Sequence, residues 1–90
     1  MTDIDQALSH HQAGHLDQAK AAYLAILAQE PEHPDALHLL GVLCHQCSEH
    51  EKAKTYIEHA IQLRPHVAMY HNNLGEALRA LGKHEQIGRA

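Results

Sequence analysis

The stretch that decides the fold is LHLLGVLCHQCSEHEKAKTYIEHAIQLRP, Leu37 to Pro65. Leu37, Leu40, Cys44 and Cys47 step by three and four, as do Ala53, Ile57, Ala60 and Ile61, so each set lies on one face of an α-helix. Between the two runs Ser48 is followed three residues on by Glu51, a capping-box pattern that predicts the start of a second helix. Thr2 with Asp5 gives the same kind of signal at the start of the chain. Pro31, Pro34 and Pro65 stand where a second helix is expected to stop, because proline lacks an N–H and denies the helical conformation to its predecessor.

Working outward, the chain repeats itself at an offset of 34 residues. Leu40-Gly41 falls on Leu74-Gly75. In the other direction Ala53 falls on Ala19, Ile57 on Tyr23, Ala60 on Ile26, Ile61 on Leu27 and Pro65 on Pro31, while Gly82 shares a column with Ser48 and Gly14. The periodicity predicts five helices near 2–13, 16–29, 35–47, 50–63 and 68–81, followed by a stub, GKHEQIGRA, too short and glycine-rich for a full helix of its own. The whole chain reads as one all-α domain with units at about 1–33, 34–67 and 68–90, the last incomplete.

These features resemble the tetratricopeptide repeat (TPR) family. The second unit carries the pattern Leu37-x-x-Leu40-Gly41-x-x-Cys44, then Ala53-x-x-x-Ile57-x-x-Ala60, then Pro65. The first unit keeps Ala19, Tyr23, Ile26 and Pro31 but has Ala7, preceded by Gln6, where the glycine would stand. The third opens with YHNNLGEALRALG, Tyr70 to Gly82. The resemblance implies a solenoid of about two and a half stacked hairpins, with the first helix of each lining a concave groove. Gly41, Gly75, Ala19 and Ala53 are expected where helices cross, since a larger side chain there would hold the backbones apart.

Composition narrows the function. Trp and Phe are absent, so the core must be built from Leu, Ile, Ala and Val, which favours helices. A formal charge of −4 offers no footprint for nucleic acid or anionic lipid. No apolar run is long enough to span a membrane, and the start, MTDIDQALSHH, is acidic and polar rather than basic and greasy. A cytoplasmic chain with reduced thiols is expected. No nucleophile elbow, phosphate-binding glycine loop or paired carboxylate motif is present, so the chain reads as no enzyme, needing no cofactor.

CHQCSEH, Cys44 to His50, could be a metal or redox site, but the repeat supplies a control. Cys44 shares its column with His10 and Leu78, and Cys47 shares one with Ala13 and Leu81; both columns read as a buried stripe. The thiols are therefore expected to be inert core groups. Cys47 with His50 remains the one metal-like fragment, and no metal is assigned. His11 and His15 have the i, i+4 spacing of a helical chelate, but Gly14 between them is expected to end the helix; the others, His10, His33, His38, His59, His66, His71 and His84, are read mostly as surface groups. Together the eleven histidines would move the formal charge from −4 to +7 on full protonation.

The family resemblance places partner-binding side chains on the first helices: Ile4, Leu8 and His11; His38, Val42 and His45; Asn72, Asn73, Glu76 and Arg79. The NNLGEALRALG stretch is similar to the superhelical TPR regions of O-GlcNAc transferases and related bacterial proteins. There an asparagine at the Asn73 position holds the backbone of an extended peptide, work that suits an amide, which both donates and accepts. Asp5 and Leu39 occupy that column in the other units. The carboxylate clamp of chaperone-binding TPR domains fits less well, because the groove offers only His38, His45 and Arg79 as cations. The implied function is a protein- or peptide-binding adaptor, expected to be the N-terminal part of a larger protein; similar TPR segments precede glycosyltransferase, sulfotransferase or methyltransferase domains in bacteria, so an enzyme could lie downstream. The alternatives are a self-assembly unit, using Leu74, Leu78 and Leu81 at the C-terminal end to form a homo-oligomer, and a His/Cys metal binder.

Overall fold

The computed structural model describes the backbone of residues 3–88 and the side chains of residues 3–82. Five α-helices follow one another: α1 Ile4–Gln12, α2 Leu16–Gln29, α3 Pro34–Gln46, α4 His50–Leu63 and α5 Ala68–Gly88. The described residues contain no strand, and no helix among them is long and apolar enough to cross a membrane. The all-α repeat architecture is the one the 34-residue periodicity predicts.

The helix ends follow local chemistry, in several places differently from expectation. Asp3 starts α1: its side chain accepts from the Gln6 amide, and Gln6 reaches back to the Asp3 amide. The capping box is therefore Asp3–Gln6 rather than Thr2–Asp5, and Thr2 lies outside the described residues. Pro34 opens α3 at its first turn instead of closing α2, because that position needs no N–H. His33 caps the same helix, its Nδ1 accepting from the Ala36 amide at 3.1 Å. Ser48 makes no capping box with Glu51. It sits at φ +63°, and the cap of α4 is Glu49, with no side-chain bond. Gly14, in the same column, has φ +83°, so the column marks a left-handed turn between the helices of a hairpin. Gly82, the third member, lies inside α5, which runs on to Gly88 without the expected break. A glycine costs a helix interior only about 1 kcal/mol, too little to stop it unaided.

Within the second hairpin α4 lies across α3 at Gly41. A methyl added there would stand 2.6 Å from Ile57 Cγ1 and 3.1 Å from the Ala53 carbonyl oxygen. The equivalent position in α5, Gly75, has nothing within 4 Å, so the expected crossing is absent there among the described residues. Ala7, Ala19, Ala53 and Ala77 are fully buried and bring the backbones together around Tyr23, Leu40, Leu43 and Cys44. A second cluster of Leu37, Ala60 and Tyr70 joins α3, α4 and α5.

Each helix packs on the next, and the first helices also touch one another, α1 on α3 and α3 on α5. The described second helices, α2 and α4, make no such contact. The stack is therefore tighter on the α1/α3/α5 side, which makes that side the inner face.

Candidate functional site

Three hydrogen bonds cross the inner face, and each joins residues 35 apart. One residue beyond the sequence period is the step from a first helix to its neighbour in the next hairpin. His11 Nε2 meets Gln46 Oε1 at 2.6 Å, linking α1 to α3. The Tyr70 hydroxyl donates to Asp35 Oδ1 at 2.7 Å, and Asn73 Nδ2 lies 2.7 Å from His38 Nε2, both linking α3 to α5.

The roles within these rungs follow from what each atom can do. Gln46 Oε1 only accepts, so His11 carries its proton on Nε2 and its Nδ1 takes the Tyr23 hydroxyl at 2.8 Å. Burial pushes Tyr23 up to about 12, which keeps it a donor. Tyr70 is likewise raised to about 12, first by burial and then by its bond to Asp35. Burial holds the His38 imidazole below its ordinary value, against the pull of Asp35, so it stays neutral.

His38 is 3% exposed, with its ring 4.5 Å from that of Tyr70. It is therefore a core residue of the α3/α5 contact, neither a groove cation nor a surface histidine as expected. His11 and His45, placed on the groove by the family resemblance, are half-buried. His11 is held by Tyr23 and Gln46; His45 Nδ1 lies 3.1 Å from His50 Nδ1. His10, His33, His50 and His59 are half-buried too, while His15, His66 and His71 are exposed. The side chain of His84 lies outside those described.

Val42, His45, Asn73 and Glu76, with Ile57 behind them, line one small cavity of about 40 Å³ on this face. That is room for a water-sized polar group, with three side chains able to bond it. Ile4 and Leu8 are half-buried on α1, whereas Asn72, Glu76 and Arg79 are exposed on α5, with Arg79 donating to Glu76 at 2.8 Å. Of the predicted partner-binding set, the structure brings Val42, His45, Asn73 and Glu76 together. Asp35, Gln46, Tyr23 and Tyr70 were not read from the sequence as part of this face; pairing residues at 35 rather than 34 would have found three of them.

The cysteines separate. Cys44 is buried, its thiol pushed up by burial and then by the negative charge of Glu49. Cys47 caps α3 and is exposed, contrary to the buried-stripe expectation, because the chain has already begun its turn. Among the described residues no group of three or more His, Cys, Asp or Glu side chains is placed to hold a metal. Glu49 instead binds Lys52 at 2.9 Å and lies 4.0 Å from Lys20, tying α2 to the turn before α4. At the far end Leu78 is 45% exposed, while Leu74 and Leu81 are half-buried. Leu24 and Met69 are exposed as well.

A family model described as Tetratricopeptide repeat matches residues 4–53, from α1 into the first turn of α4. The chain belongs to the tetratricopeptide repeat family. No curated protein matches it. TPR repeats mediate protein–protein interaction, and TPR domains are typically non-catalytic scaffolds. The unmatched α5 continues the TPR pattern through Leu74-Gly75 and packs on α3 and α4 as the next first helix would.

Proposed function

We propose that the TPR chain is a protein- or peptide-binding module that holds an extended polypeptide segment along α1, α3 and α5. The observation that carries this reading is the cavity shared by Asn73, His45, Glu76 and Val42: an amide, an imidazole and a carboxylate beside an apolar side chain. Polar groups that can bond a peptide backbone beside half-buried Val42, with Ile4 and Leu8 half-buried further along on α1, suit a ligand with alternating polar and apolar contacts. Asn73 reads ligand backbone, as the resemblance to the O-GlcNAc transferase-like regions implies for this single rung. His45 and Arg79 favour acidic side chains, with Glu76 tempering Arg79.

Selection of a random dodecapeptide library against the protein, followed by fluorescence anisotropy on several unrelated binders, tests this. Asn73→Ala should weaken all of them alike, by about three- to tenfold. Arg79→Ala should weaken acidic ones selectively. Binding untouched by both substitutions but abolished by Leu24→Glu on α2 would contradict the assignment.

A further inference from the structure

We propose that His38 is a positioning residue that fixes the direction of the Asn73 amide, so that the groove presents an amide oxygen and recognises an N–H donor of the bound segment. This rests on the groove reading above and adds to it the polarity of the recognised group. An asparagine amide has a donor end and an acceptor end, and free in a groove it can turn to suit either partner. Here the Nδ2 end is engaged by His38 Nε2 at 2.7 Å. An amide nitrogen only donates, so Nε2 accepts, and the neutral ring carries its proton on Nδ1.

The ring cannot easily turn to offer the other nitrogen. It is buried, it lies against Tyr70 with centroids 4.5 Å apart, and Tyr70 is itself tied to Asp35 at 2.7 Å. Asp35 and His38 on α3 thus meet Tyr70 and Asn73 on α5 in two successive rungs. One Nδ2 hydrogen is committed to His38, which fixes the direction of the amide; Oδ1 is the acceptor end turned to a ligand, and among the described residues it has no hydrogen-bond partner. Glu76, beside it on the cavity wall, is a second acceptor of the same preference. A backbone N–H of an extended segment meets two acceptors there, against the single N–H that Nδ2 keeps for a carbonyl. The device occurs once in the chain. Ile4 and Asn72 stand in the His38 column, and Asp5 and Leu39 in that of Asn73.

Two measurements test it, one without ligand. Long-range ¹H–¹⁵N correlation spectra of the unliganded protein should show His38 neutral with its proton on Nδ1. Asn73→Asp, whose carboxylate only accepts, should move that proton to Nε2. A wild-type ring protonated on Nε2 would overturn the proposal whether or not any peptide binds. The second measurement replaces each backbone amide of a selected dodecapeptide by an ester in turn, deleting one N–H while keeping the carbonyl. One position should lose about three- to tenfold in affinity against wild type. His38→Phe, checked for native helicity by circular dichroism, should remove most of that penalty, whereas Asn73→Asp should retain it. An ester penalty unchanged in His38→Phe, or none at any position against wild type, would overturn the polarity assignment. Peptides that map to α2 and α4 would instead overturn the groove reading, an outcome the tautomer measurement keeps separate.

Discussion

α3 and α5 carry the same letters at the same spacing, Leu40-Gly41 and Leu74-Gly75, yet they occupy different physical situations. Gly41 is closed over by Ile57 and the Ala53 carbonyl; Gly75 faces open space. One turn on, Cys44 is 1% exposed and Leu78, in the same column, is 45% exposed. Another turn on, Ser48 takes the left-handed conformation that reverses the chain, whereas Gly82 stays helical. What separates them is α4, which packs across α3 and has no described counterpart on α5. A repeat motif thus encodes the capacity for a crossing, and its energy appears only where a second helix arrives to use it.

Thiol accessibility gives the sharpest contrast. In a Cys47→Ala background, Cys44 should react with a thiol reagent at least about a hundredfold more slowly than a thiol introduced by Leu78→Cys, because reaching it requires opening the core. Similar rates would erase the distinction between the two columns. Next in size, Gly41→Ala should lower stability in urea unfolding by about 1–3 kcal/mol, since the added methyl would force Ile57 and the Ala53 backbone oxygen to shift. Gly75→Ala should do the reverse, raising it by about 0.5–1 kcal/mol through helix propensity alone. Two changes of the same sign would break the comparison. Ser48→Gly should stabilise by about 0.4–1 kcal/mol by relieving the left-handed serine, an effect that vanishes if the turn is not where it is described.

The two contacts made by α3 on the inner face also differ. Towards α5 the column pair is His38–Asn73, polar, with His38 buried and Asn73 half-buried; the equivalent positions towards α1 are Ile4 and Leu39. Because burial keeps His38 below its ordinary 6.5, the unfolded chain takes up this proton before the folded one does. The rung's contribution is complete above about pH 6.5 and declines as pH falls from there towards the folded value. Unfolding midpoints measured across that range should fall with pH, and His38→Phe should flatten that part of the profile. An unchanged slope would place the titration elsewhere.

Most of the fold was legible because its signals are local. Apolar spacing and the Gly14 and Pro31 punctuation placed α2 and α4 at their observed limits and α1 and α3 within two residues. What escaped depends on neighbours. Cys47 looked like core by its column, but a column does not show that the helix has ended. The end of α5 was misread because Gly82 marks a turn only where a returning helix enforces it. His38 was read as a groove cation because its burial comes from Tyr70 and Asn73, which belong to the next unit. Of the candidate site, Val42, His45, Asn73 and Glu76 were named from the family resemblance and lie together at one cavity, whereas the polar rungs were not named, since stacking pairs residues one position beyond the sequence period.

The most direct test of the central claim, that the TPR chain binds along its first helices, is a ¹⁵N amide shift map of the protein titrated with a selected dodecapeptide. The largest shifts should fall on α1, α3 and α5, centred on Val42, His45, Asn73 and Glu76, with the Asn73 side-chain amide among them. Shifts concentrated on α2 and α4, with the Asn73 amide unmoved, would contradict it.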